Sequence, residues 1–269
     1  MLIEKYYIIG DLHGDFRPVR DFVQRNIQLH RDVNNGIKNY LICLGDFGAN
    51  FFFNYRDEDY KEKLGKYPFT YFVIRGNHEE RPSICLKNNP DKWHTEKCFG
   101  NLVYVENAYP YIKYAADTPM TYNIGGYNTL SIPGAYSVDK YRRLKMGWSW
   151  FENEQLTPEE MAMGEKIIKL NKGEFNLVLS HTCPIMFEPT DLFLSTVDQS
   201  MVDKTMERYL GMIEYNLKYS LWCWGHYHKT RIYPITEDKQ QRLMLFNDKV
   251  IELKDWMQAI KKNEIGGFI

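Results

Sequence analysis

Five apolar runs in this chain each stop at a short polar cluster, and this repeated pattern constrains the fold more than any other feature of the sequence. The runs cover residues 6–9, 40–44, 71–74, 177–179 and 221–224. Their length and their aliphatic and aromatic content predict buried strands. Ligand sites in α/β sheets gather at the carboxyl ends of strands, so we expect the five clusters to converge in space.

The clusters supply carboxylate, imidazole and carboxamide groups, which bind metal ions without any thiolate. Five of the seven histidines of the chain fall inside them. Residues i and i+2 of an extended segment point to the same face, so Asp11 and His13 are predicted to grip one ion together, as are His226 and His228. The clusters are Asp11-x-His13, Gly45-Asp46, Gly76-Asn77-His78-Glu79, His181 and Gly225-His226-x-His228.

Composition excludes several classes of protein. With 269 residues, 44% hydrophobic and 26% charged, the chain is predicted to be a soluble globular protein with a substantial core. A formal net charge of -1 provides no general attraction to nucleic acid or to an anionic membrane. The first predicted strand begins within the opening six residues, and no apolar stretch is long enough for a membrane helix. We therefore expect a cytoplasmic location and no membrane partner.

The cysteines do not predict a disulfide scaffold. They number five, without paired spacing, which suits a reducing compartment. Cys183 lies two residues after His181, and we interpret it as a packing residue rather than a lining residue of the site. Cys85 and Cys98 would make a zinc pair, but no other feature supports one.

Strand–helix–strand alternation in the first third predicts a parallel sheet. Asp15 is predicted to cap a helix whose apolar stripe runs over residues 16–27, and the charged segment 56–66 is predicted to be an exposed helix or loop. Short strands are predicted at 102–105, 121–124 and 127–132.

Turn and cap signals organise the rest of the chain. Gly125-Gly126 predicts a tight hairpin, and Thr157-Pro158-Glu159-Glu160 predicts a capping box that begins a helix ending near residue 171. A second helix is predicted over 201–218. Strands at 230–233, 242–246 and 249–253 and a helix from about Asp255 complete a single predicted domain over residues 1–269, built as two sheets with helices outside.

Taken together and in this order, the clusters resemble those of the calcineurin-like metallophosphoesterases. One cluster alone is a weak signal, whereas all five, each after a strand, are specific. The resemblance runs from residue 11 to residue 228. It implies an α/β (α+β) fold, a four-layer sandwich of two mixed β-sheets flanked by helices.

The resemblance also implies two divalent metal ions side by side, about 3.5–4 Å apart as in other two-metal sites. Mixed nitrogen and oxygen ligands favour manganese, with iron, zinc, nickel or cobalt as alternatives. The implied ligands are Asp11, His13 and His228 at one ion, Asn77, His181 and His226 at the other, and Asp46 as a bridge.

The chemistry implied by the family is hydrolysis, in which a metal-bridging hydroxide attacks phosphorus in line. Asp46 and His78 are the implied catalytic residues. His78 is not a ligand in the family; it faces the substrate and protonates the leaving oxygen or stabilises the transition state. The alternative for His78 is a structural histidine beside the metal ions.

The second cluster departs from one subfamily. Serine/threonine phosphatases of this superfamily carry Gly-Asp-x-x-Asp-Arg-Gly where this chain has residues 45–50. Ala49 replaces the aspartate that orients the catalytic histidine, and Asn50 replaces a phosphate-binding arginine. This weakens the assignment as a protein phosphatase and makes Glu79 or Glu80 the candidates for orienting His78.

Two later segments are candidates for substrate contacts. Asn77 is predicted to bind substrate as well as metal. Arg142 or Arg143 is predicted to replace the missing phosphate clamp, because guanidinium forks suit phosphate; a solvated basic turn is the equal alternative. The long tract 184–202 is predicted to form a substrate wall, with Asp198 and Gln199 facing in, or else a plain surface loop.

The leading hypothesis is a dinuclear metal-dependent phosphohydrolase acting on phosphomonoesters or phosphodiesters. Its substrate would be a phosphorylated small molecule, a nucleotide or a phosphoprotein. A phosphoprotein phosphatase and a nuclease are the alternatives, and the absence of a basic stripe counts against the nuclease. A non-catalytic scaffold is disfavoured because all seven ligand positions and His78 are intact.

Overall fold

The computed structural model describes residues 3–262 and residue 264, and it is built around two β-sheets. In chain order the strands are β1 (Glu4–Ile9), β2 (Lys38–Cys43), β3 (Thr70–Val73), β4 (Trp93–Cys98), β5 (Asn101–Glu106), β6 (Ile112–Ala115), β7 (Met120–Ile124), β8 (Tyr127–Ile132), β9 (Leu177–Ser180), β10 (Leu221–Trp224), β11 (Arg231–Ile232), β12 (Gln241–Met244) and β13 (Ile251–Glu252).

Helices connect these strands and cover the sheets. The α-helices within the described residues are α1 (Arg17–Arg25), α2 (Gln28–Asn34), α3 (Tyr55–Leu64), α4 (Pro82–Asn88), α5 (Lys140–Met146), α6 (Pro158–Leu170), α7 (Thr205–Glu214) and α8 (Leu253–Lys262). Short 3-10 helices occupy Ile185–Phe187, Thr190–Leu192 and Gln199–Met201. None of the helices in the described part of the chain has the length and apolar character needed to span a bilayer.

Both sheets are mixed. The first has the order β13-β1-β2-β3-β6-β5-β4, in which β1, β2, β3 and β6 run parallel. The second has the order β11-β12-β10-β9-β8-β7, in which β8, β9, β10 and β12 run parallel. The antiparallel strands lie towards the edges of each sheet. The predicted parallel layer is confirmed.

Alternation along the strands builds three cores. Tyr6 and Ile8 of β1 lie in the core between the sheets, whereas Tyr7 and Ile9 lie in the core beneath the flanking helices. Side chains one residue apart point to opposite faces, so each central strand serves two cores. The equivalent outer core of the second sheet packs against α6 and α7. Helix, sheet, sheet and helix layers follow one another, which confirms the predicted α/β sandwich.

Two local predictions are confirmed by backbone geometry. Gly125 and Gly126 have φ of 61° and 85° and connect β7 to β8 as an antiparallel hairpin. Thr157 accepts the backbone N–H of Glu160, and the Glu160 side chain accepts the backbone N–H of Thr157, which completes the capping box of α6. Each signal is local in sequence, which is why sequence alone was sufficient for both.

Two helix predictions were wrong in extent. The helix expected over 201–218 is α7, which covers only Thr205–Glu214, and the Asp203 carboxylate accepts the Thr205 backbone N–H at 2.9 Å where the helix begins. The stripe expected to reach Ile27 ends with α1 at Arg25, and Ile27 is 65% exposed. The chain turns at Asn26 before α2 begins.

Five of the described α-helices and strands were not anticipated from the sequence. They are the short helices α2, α4 and α5 and the strands β4 and β6. The charged segment 56–66, expected to be a helix or a loop, forms α3. The single domain over 1–269 stays a prediction; residues 1–2, 263 and 265–269 lie outside the described part.

Candidate metal centre

All seven predicted ligands follow the carboxyl ends of five parallel strands. Asp11 and His13 follow β1, Asp46 follows β2, and Asn77 follows β3 in the first sheet. His181 follows β9, and the remaining pair of histidines follows β10 in the second sheet. The two sheets therefore bring together residues that lie more than 200 positions apart in the sequence.

One half of the centre gathers around His13. Its Nε2 lies 2.8 Å from Nε2 of His228 and 3.7 Å from Oδ2 of Asp46. The Asp11 carboxylate accepts the backbone N–H of His226 at 3.0 and 2.9 Å, one distance for each oxygen. The second sheet is thus joined to the first directly at the predicted ligands.

The other half gathers around His181. Its Nε2 lies 2.9 Å from Oδ1 of Asn77 and 3.4 Å from Oδ1 of Asp46, and its ring centre lies 5.0 Å from that of His226. The other ring nitrogen, Nδ1, donates to the Leu44 carbonyl at 2.7 Å. That hydrogen bond turns Nε2 toward Asn77 and Asp46, which is the usual way in which a ligand histidine is oriented.

The local backbone differs from the extended segments we expected. His13, His226 and His228 have φ of 48°, 71° and 52°, and Asp46 has φ of 46°. Asp11-x-His13 and His226-x-His228 are therefore not extended, and the strand geometry expected for both pairs was wrong. Left-handed non-glycine residues cost on the order of 1–3 kcal/mol each and cluster at functional sites.

Close approach explains two of the glycines. A Cβ on Gly45 would lie 2.2 Å from Nδ1 of His181, and one on Gly76 would lie 2.1 Å from Oδ1 of Asp46. Both contacts are far inside van der Waals distance, so any larger residue would displace a predicted ligand.

The two buried carboxylates have no ordinary counter-ion. Asp11 and Asp46 are 0% and 1% exposed, and no Lys or Arg nitrogen of the described residues lies within 4.0 Å of them. Burial raises the pKa of Asp11, against the influence of His181. Burial also opposes ionisation of Asp46, yet His78, His181 and His13 hold its pKa well below the usual value.

The histidines respond to the same environment. Burial works against a charged His181, but Asp46 and Asp11 raise its pKa to about 9. Burial lowers the pKa of His226 and that of His228. Oxygen or nitrogen atoms of Asp11, Asp46 and His181 all lie within 4.8 Å of one another. Carboxylate oxygens and imidazole nitrogens gathered this closely are a donor set that fits divalent metal ions.

Two residues that the sequence analysis missed orient Asn77. Glu154 accepts the Ser137 backbone N–H at 2.9 Å, the Ser137 hydroxyl, and the Trp150 Nε1–H at 3.0 Å. The hydroxyl of Ser137 has donated its hydrogen to Glu154, so its oxygen accepts from Nδ2 of Asn77, at 2.9 Å. Oδ1 of Asn77 consequently faces His181. Asn77 and Ser137 are 60 residues apart, which left no local signal for this chain of bonds.

His78 sits beside the ligands and contacts none of the residues proposed to orient it. Glu79 instead accepts the backbone N–H groups of Phe47, Gly48 and Gly76, and Glu80 accepts those of Arg81 and the Asn153 amide. The expectation for Glu79 and Glu80 was therefore wrong. The backbone N–H of His78 donates to Asp46 at 2.9 Å.

Arg143 of α5 lies against the His78 ring. Its Nη2 is 2.7 and 2.6 Å from the two ring nitrogens, and Phe51 stacks on the ring at 6.0 Å between centroids. Asp139 holds the Arg143 Nε at 2.7 Å. Burial lowers the pKa of His78 to about 4; Arg143 acts in the same direction and Asp46 opposes it.

The chain thus brings an aspartate and an arginine to His78 from a segment other than the second cluster. Ala49 and Asn50 are both buried, and neither can supply such a group. Arg143 is 4% exposed, whereas its neighbour Arg142 is exposed and lines the cavity beside the centre. The alternative of a solvated basic turn does not describe Arg143.

A cavity of about 460 Å³ opens beside the centre, with Asp46, His78 and His226 in its lining. The tract 184–202 lines the opposite side, including Gln199. Asp198 does not line it; the carboxylate is exposed and accepts the N–H and O–H of Ser200 at 3.0 and 2.7 Å. A larger cavity, about 1200 Å³, contains none of the predicted ligands.

The cysteines take no part in these contacts. Cys183 is buried in the outer core of the second sheet, in agreement with a packing role. Cys85 and Cys98 pack in different cores, and the candidate metal-binding groups of the described residues contain no cysteine.

Comparison with known proteins agrees with this geometry. The family model described as calcineurin-like phosphoesterase matches residues 5–230. The crystal structure of TT1561 of Thermus thermophilus is similar over 94% of this chain and 96% of that chain, with 11% identity and a TM-score of 0.51, which supports the fold. The phosphopantetheinyl hydrolase of Mycobacterium tuberculosis aligns over 95% of this chain and 92% of its own, with 11% identity and a TM-score of 0.45. A search of curated proteins found no significant match.

Proposed function

Because the chain belongs to the calcineurin-like phosphoesterase family, we propose that it is a dinuclear metal-dependent phosphohydrolase that cleaves phosphomonoester or phosphodiester bonds. One observation carries the proposal. Two fully buried carboxylates, Asp11 and Asp46, meet the imidazole of His181 with no Lys or Arg partner among the described residues. Such a cluster can hold metal ions, and family membership supplies the chemistry that they would serve.

The proposed ions are manganese first, with iron, zinc, nickel or cobalt as alternatives. When bound, they supply Lewis acidity toward water and toward the phosphoryl group. The proposed ligands keep the assignment made from the sequence: Asp11, His13 and His228 at one ion, Asn77, His181 and His226 at the other, and Asp46 shared between them.

His78 is the proposed proton donor. An arginine can only donate hydrogen bonds, and Nη2 of Arg143 lies within reach of both ring nitrogens, so the nitrogen that accepts from Arg143 leaves the other one to carry the hydrogen of the neutral ring. That N–H is available to the leaving oxygen when its bond to phosphorus breaks. Water supplies the new oxygen on phosphorus and, in the net reaction, the proton that the leaving group keeps.

Asn77, Arg142 and Arg143 are the proposed substrate contacts. Arg143 is buried against His78 and would act on the transferring phosphoryl group, whereas Arg142 is exposed and would contact the substrate from the lining of the cavity. Phosphorylated small molecules, nucleotides and phosphoproteins all remain within this proposal.

The test is a substrate panel with manganese-loaded protein. It contains p-nitrophenyl phosphate, its bis ester, cyclic nucleotides, dinucleoside polyphosphates and a phosphothreonine peptide. We expect metal-dependent hydrolysis of at least one ester, with kcat reduced roughly 10²–10⁴-fold by His78→Ala. Asp46→Asn should also remove activity by disturbing the shared ligand.

His30→Ala is the matched control, because His30 lies on α2 and is exposed. Hydrolysis of no ester in the panel would contradict the proposed function. Full activity in both His78→Ala and Asp46→Asn would contradict the residue roles. Preference for the phosphopeptide over every nucleotide would favour the phosphoprotein phosphatase among the alternatives.

A further inference from the structure

One side of the cavity beside the metal centre is apolar. Leu194 on this side is 63% exposed and the other members are partly exposed. Exposed apolar side chains that adjoin one another mark a surface that a ligand covers. We call the set the apolar wall, and its members are Leu192, Phe193, Leu194, Val197 and Val202.

The apolar wall is held in place relative to the predicted ligands. Phe193 stacks on Tyr227 at 6.4 Å between ring centroids with 24° between the planes. Tyr227 stands between His226 and His228 in the sequence. Lys204 lies 4.5 Å above the Phe193 ring and pairs with Glu188 at 2.6 Å. The wall therefore keeps a defined distance from the metal centre.

The charges around the same cavity are mainly negative. Apart from Asp46, its lining contains four carboxylates and two cations: Asp139, Glu188, Asp203 and Glu207, with Arg142 and Lys204. Glu188 neutralises Lys204 and Arg143 neutralises Asp139, so Arg142 is the lining cation without a carboxylate within 4.0 Å among the described residues. Asp203 and Glu207 have no Lys or Arg partner within that distance in the described part of the chain. A second phosphate away from the metal ions would meet these carboxylates.

We infer that the substrate is a phosphoester with a single phosphoryl group and an uncharged, apolar organic group that the apolar wall covers. This inference rests on the proposed function, because it places the phosphoryl group at the metal centre. The volume of about 460 Å³ is within the range of small-molecule sites. Polyphosphates and nucleic acids carry further negative charge into the acidic part of the lining and are excluded as preferred substrates.

The test uses straight-chain alkyl phosphates from methyl to hexyl. Their leaving alcohols have similar acidity, so the series varies apolar length and little else. We expect kcat/KM to rise by about fourfold for each added methylene that the apolar wall covers, which corresponds to about 0.8 kcal/mol per buried methylene. 1,6-Hexanediol bisphosphate should be hydrolysed less efficiently than hexyl phosphate, because its second phosphate meets Asp203 and Glu207.

Substitutions in the apolar wall test whether it causes the dependence of kcat/KM on chain length. Leu192→Ser combined with Val197→Ser should flatten the dependence on chain length, and Leu194→Ser alone should reduce it. Leu194 is the more exposed position, so its variant is the one expected to fold without difficulty. Leu170→Ser is the control, since Leu170 ends α6 and is 73% exposed, outside the cavity lining.

A parallel binding experiment separates this inference from the proposed function. Alkylphosphonates cannot be hydrolysed, and calorimetry with manganese-loaded protein measures their affinity directly. If affinity rises with chain length but no ester is hydrolysed, the proposed function is contradicted, whereas the inferred class of ligand is supported. Turnover that does not depend on chain length, or a preference for the bisphosphate, would overturn the inference alone. Dimerisation that Leu194→Ser abolishes would assign the wall to a second copy of the chain and also overturn it.

Discussion

The proposed metal centre depends on the orientation of the Asn77 side-chain amide. Either end of an amide fits the same space, but only its oxygen is a metal ligand. Glu154 accepts from Ser137, and Ser137 accepts from the amide nitrogen, so the oxygen is the end that faces His181. A hydroxyl and a carboxylate outside the proposed ligand set thus select the atom of Asn77 that would hold a metal ion.

Ser137→Ala tests this role. Loss of the hydroxyl removes the acceptor that fixes the Asn77 amide, and we expect a roughly 10–100-fold weaker affinity for Mn²⁺, as is typical when a group behind a ligand is removed. Calorimetric titration of metal-free protein with Mn²⁺ measures it without reference to activity. Ser195→Ala, at an exposed serine, is the control. Equal affinity in wild type and Ser137→Ala would show that the amide needs no such support.

Glu207 provides a test of burial at a single residue. It is 3% exposed and one carboxylate oxygen, Oε2, has no hydrogen-bond partner among the described residues. Burial raises its pKa from 4.5 to about 6. The folded state therefore binds a proton more tightly than the unfolded state, and it gains stability as the pH falls from about 6 to 4.5. Above this range the buried, ionised carboxylate destabilises the folded state by about 2 kcal/mol, at roughly 1.4 kcal/mol per pKa unit.

Glu207→Gln should abolish that pH dependence. The amide oxygen can keep the hydrogen bond from Thr182, and the penalty for a buried charge disappears. We expect the difference in free energy of unfolding between the variant and the wild type to be about 2 kcal/mol more in favour of the variant at about pH 7.5 than at about pH 4.5. Urea unfolding of both metal-free proteins at the two pH values measures the difference. A constant difference across this range would show that Glu207 does not titrate as described.

Among the secondary-structure elements, α5 is the one that places an arginine against His78, the proposed proton donor. This helix has seven residues and no side-chain cap, and its sequence has no strong apolar period. The helix matters because of its position: it places Arg143 against His78 and Arg142 in the lining of the cavity. One element thus provides two guanidinium groups in different environments.

Separate kinetic effects are expected from the two arginines. Arg143→Ala should lower kcat, by about 10²-fold, because it removes the guanidinium group that holds the His78 ring and a cation near the phosphoryl group. Arg142→Ala should raise KM with little change in kcat, because an exposed contact binds substrate and transition state alike. Steady-state kinetics on the best substrate of the panel measures both. Unchanged KM and kcat in both variants would remove α5 from the mechanism.

Across the whole molecule, the proposed centre lies where two sheets join. Asp11 comes from the first sheet and accepts a hydrogen bond from His226 of the second, so ions bound there would tie the sheets together. Because those ions bind the folded state, they stabilise it by mass action, by about 2.7 kcal/mol at a concentration roughly 100 times the dissociation constant.

Metal removal tests this arrangement. We expect Mn²⁺ to raise the melting temperature of the wild type and to do so much less in Asp11→Asn, which keeps an oxygen for the His226 N–H but loses the charge. Scanning calorimetry with and without Mn²⁺ gives both values. Asp238→Asn, at an exposed loop position, should respond like the wild type. Equal stabilisation of the wild type and Asp11→Asn would place the metal ions elsewhere.

Local patterning was enough to find the strand ends, the hairpin at Gly125 and the capping box at Thr157, because each depends on residues close together in the chain. It was also enough to name the residues that meet at the centre, since parallel strands deliver their carboxyl ends to one side. Hydrophobic spacing and turn chemistry are written into short segments, and the comparison with the family confirms what they predicted of the fold.

Orientation required the tertiary structure. The turns at His13 and His226 replaced the extended geometry we had assumed, and the support of His78 came from Arg143 rather than from Glu79. The contact between Ser137 and Asn77 likewise joins distant segments. Which atom of a side chain faces a site depends on partners brought together only when the sheets and α5 pack. No short stretch of the chain contains both partners, so no local pattern can encode the contact between them.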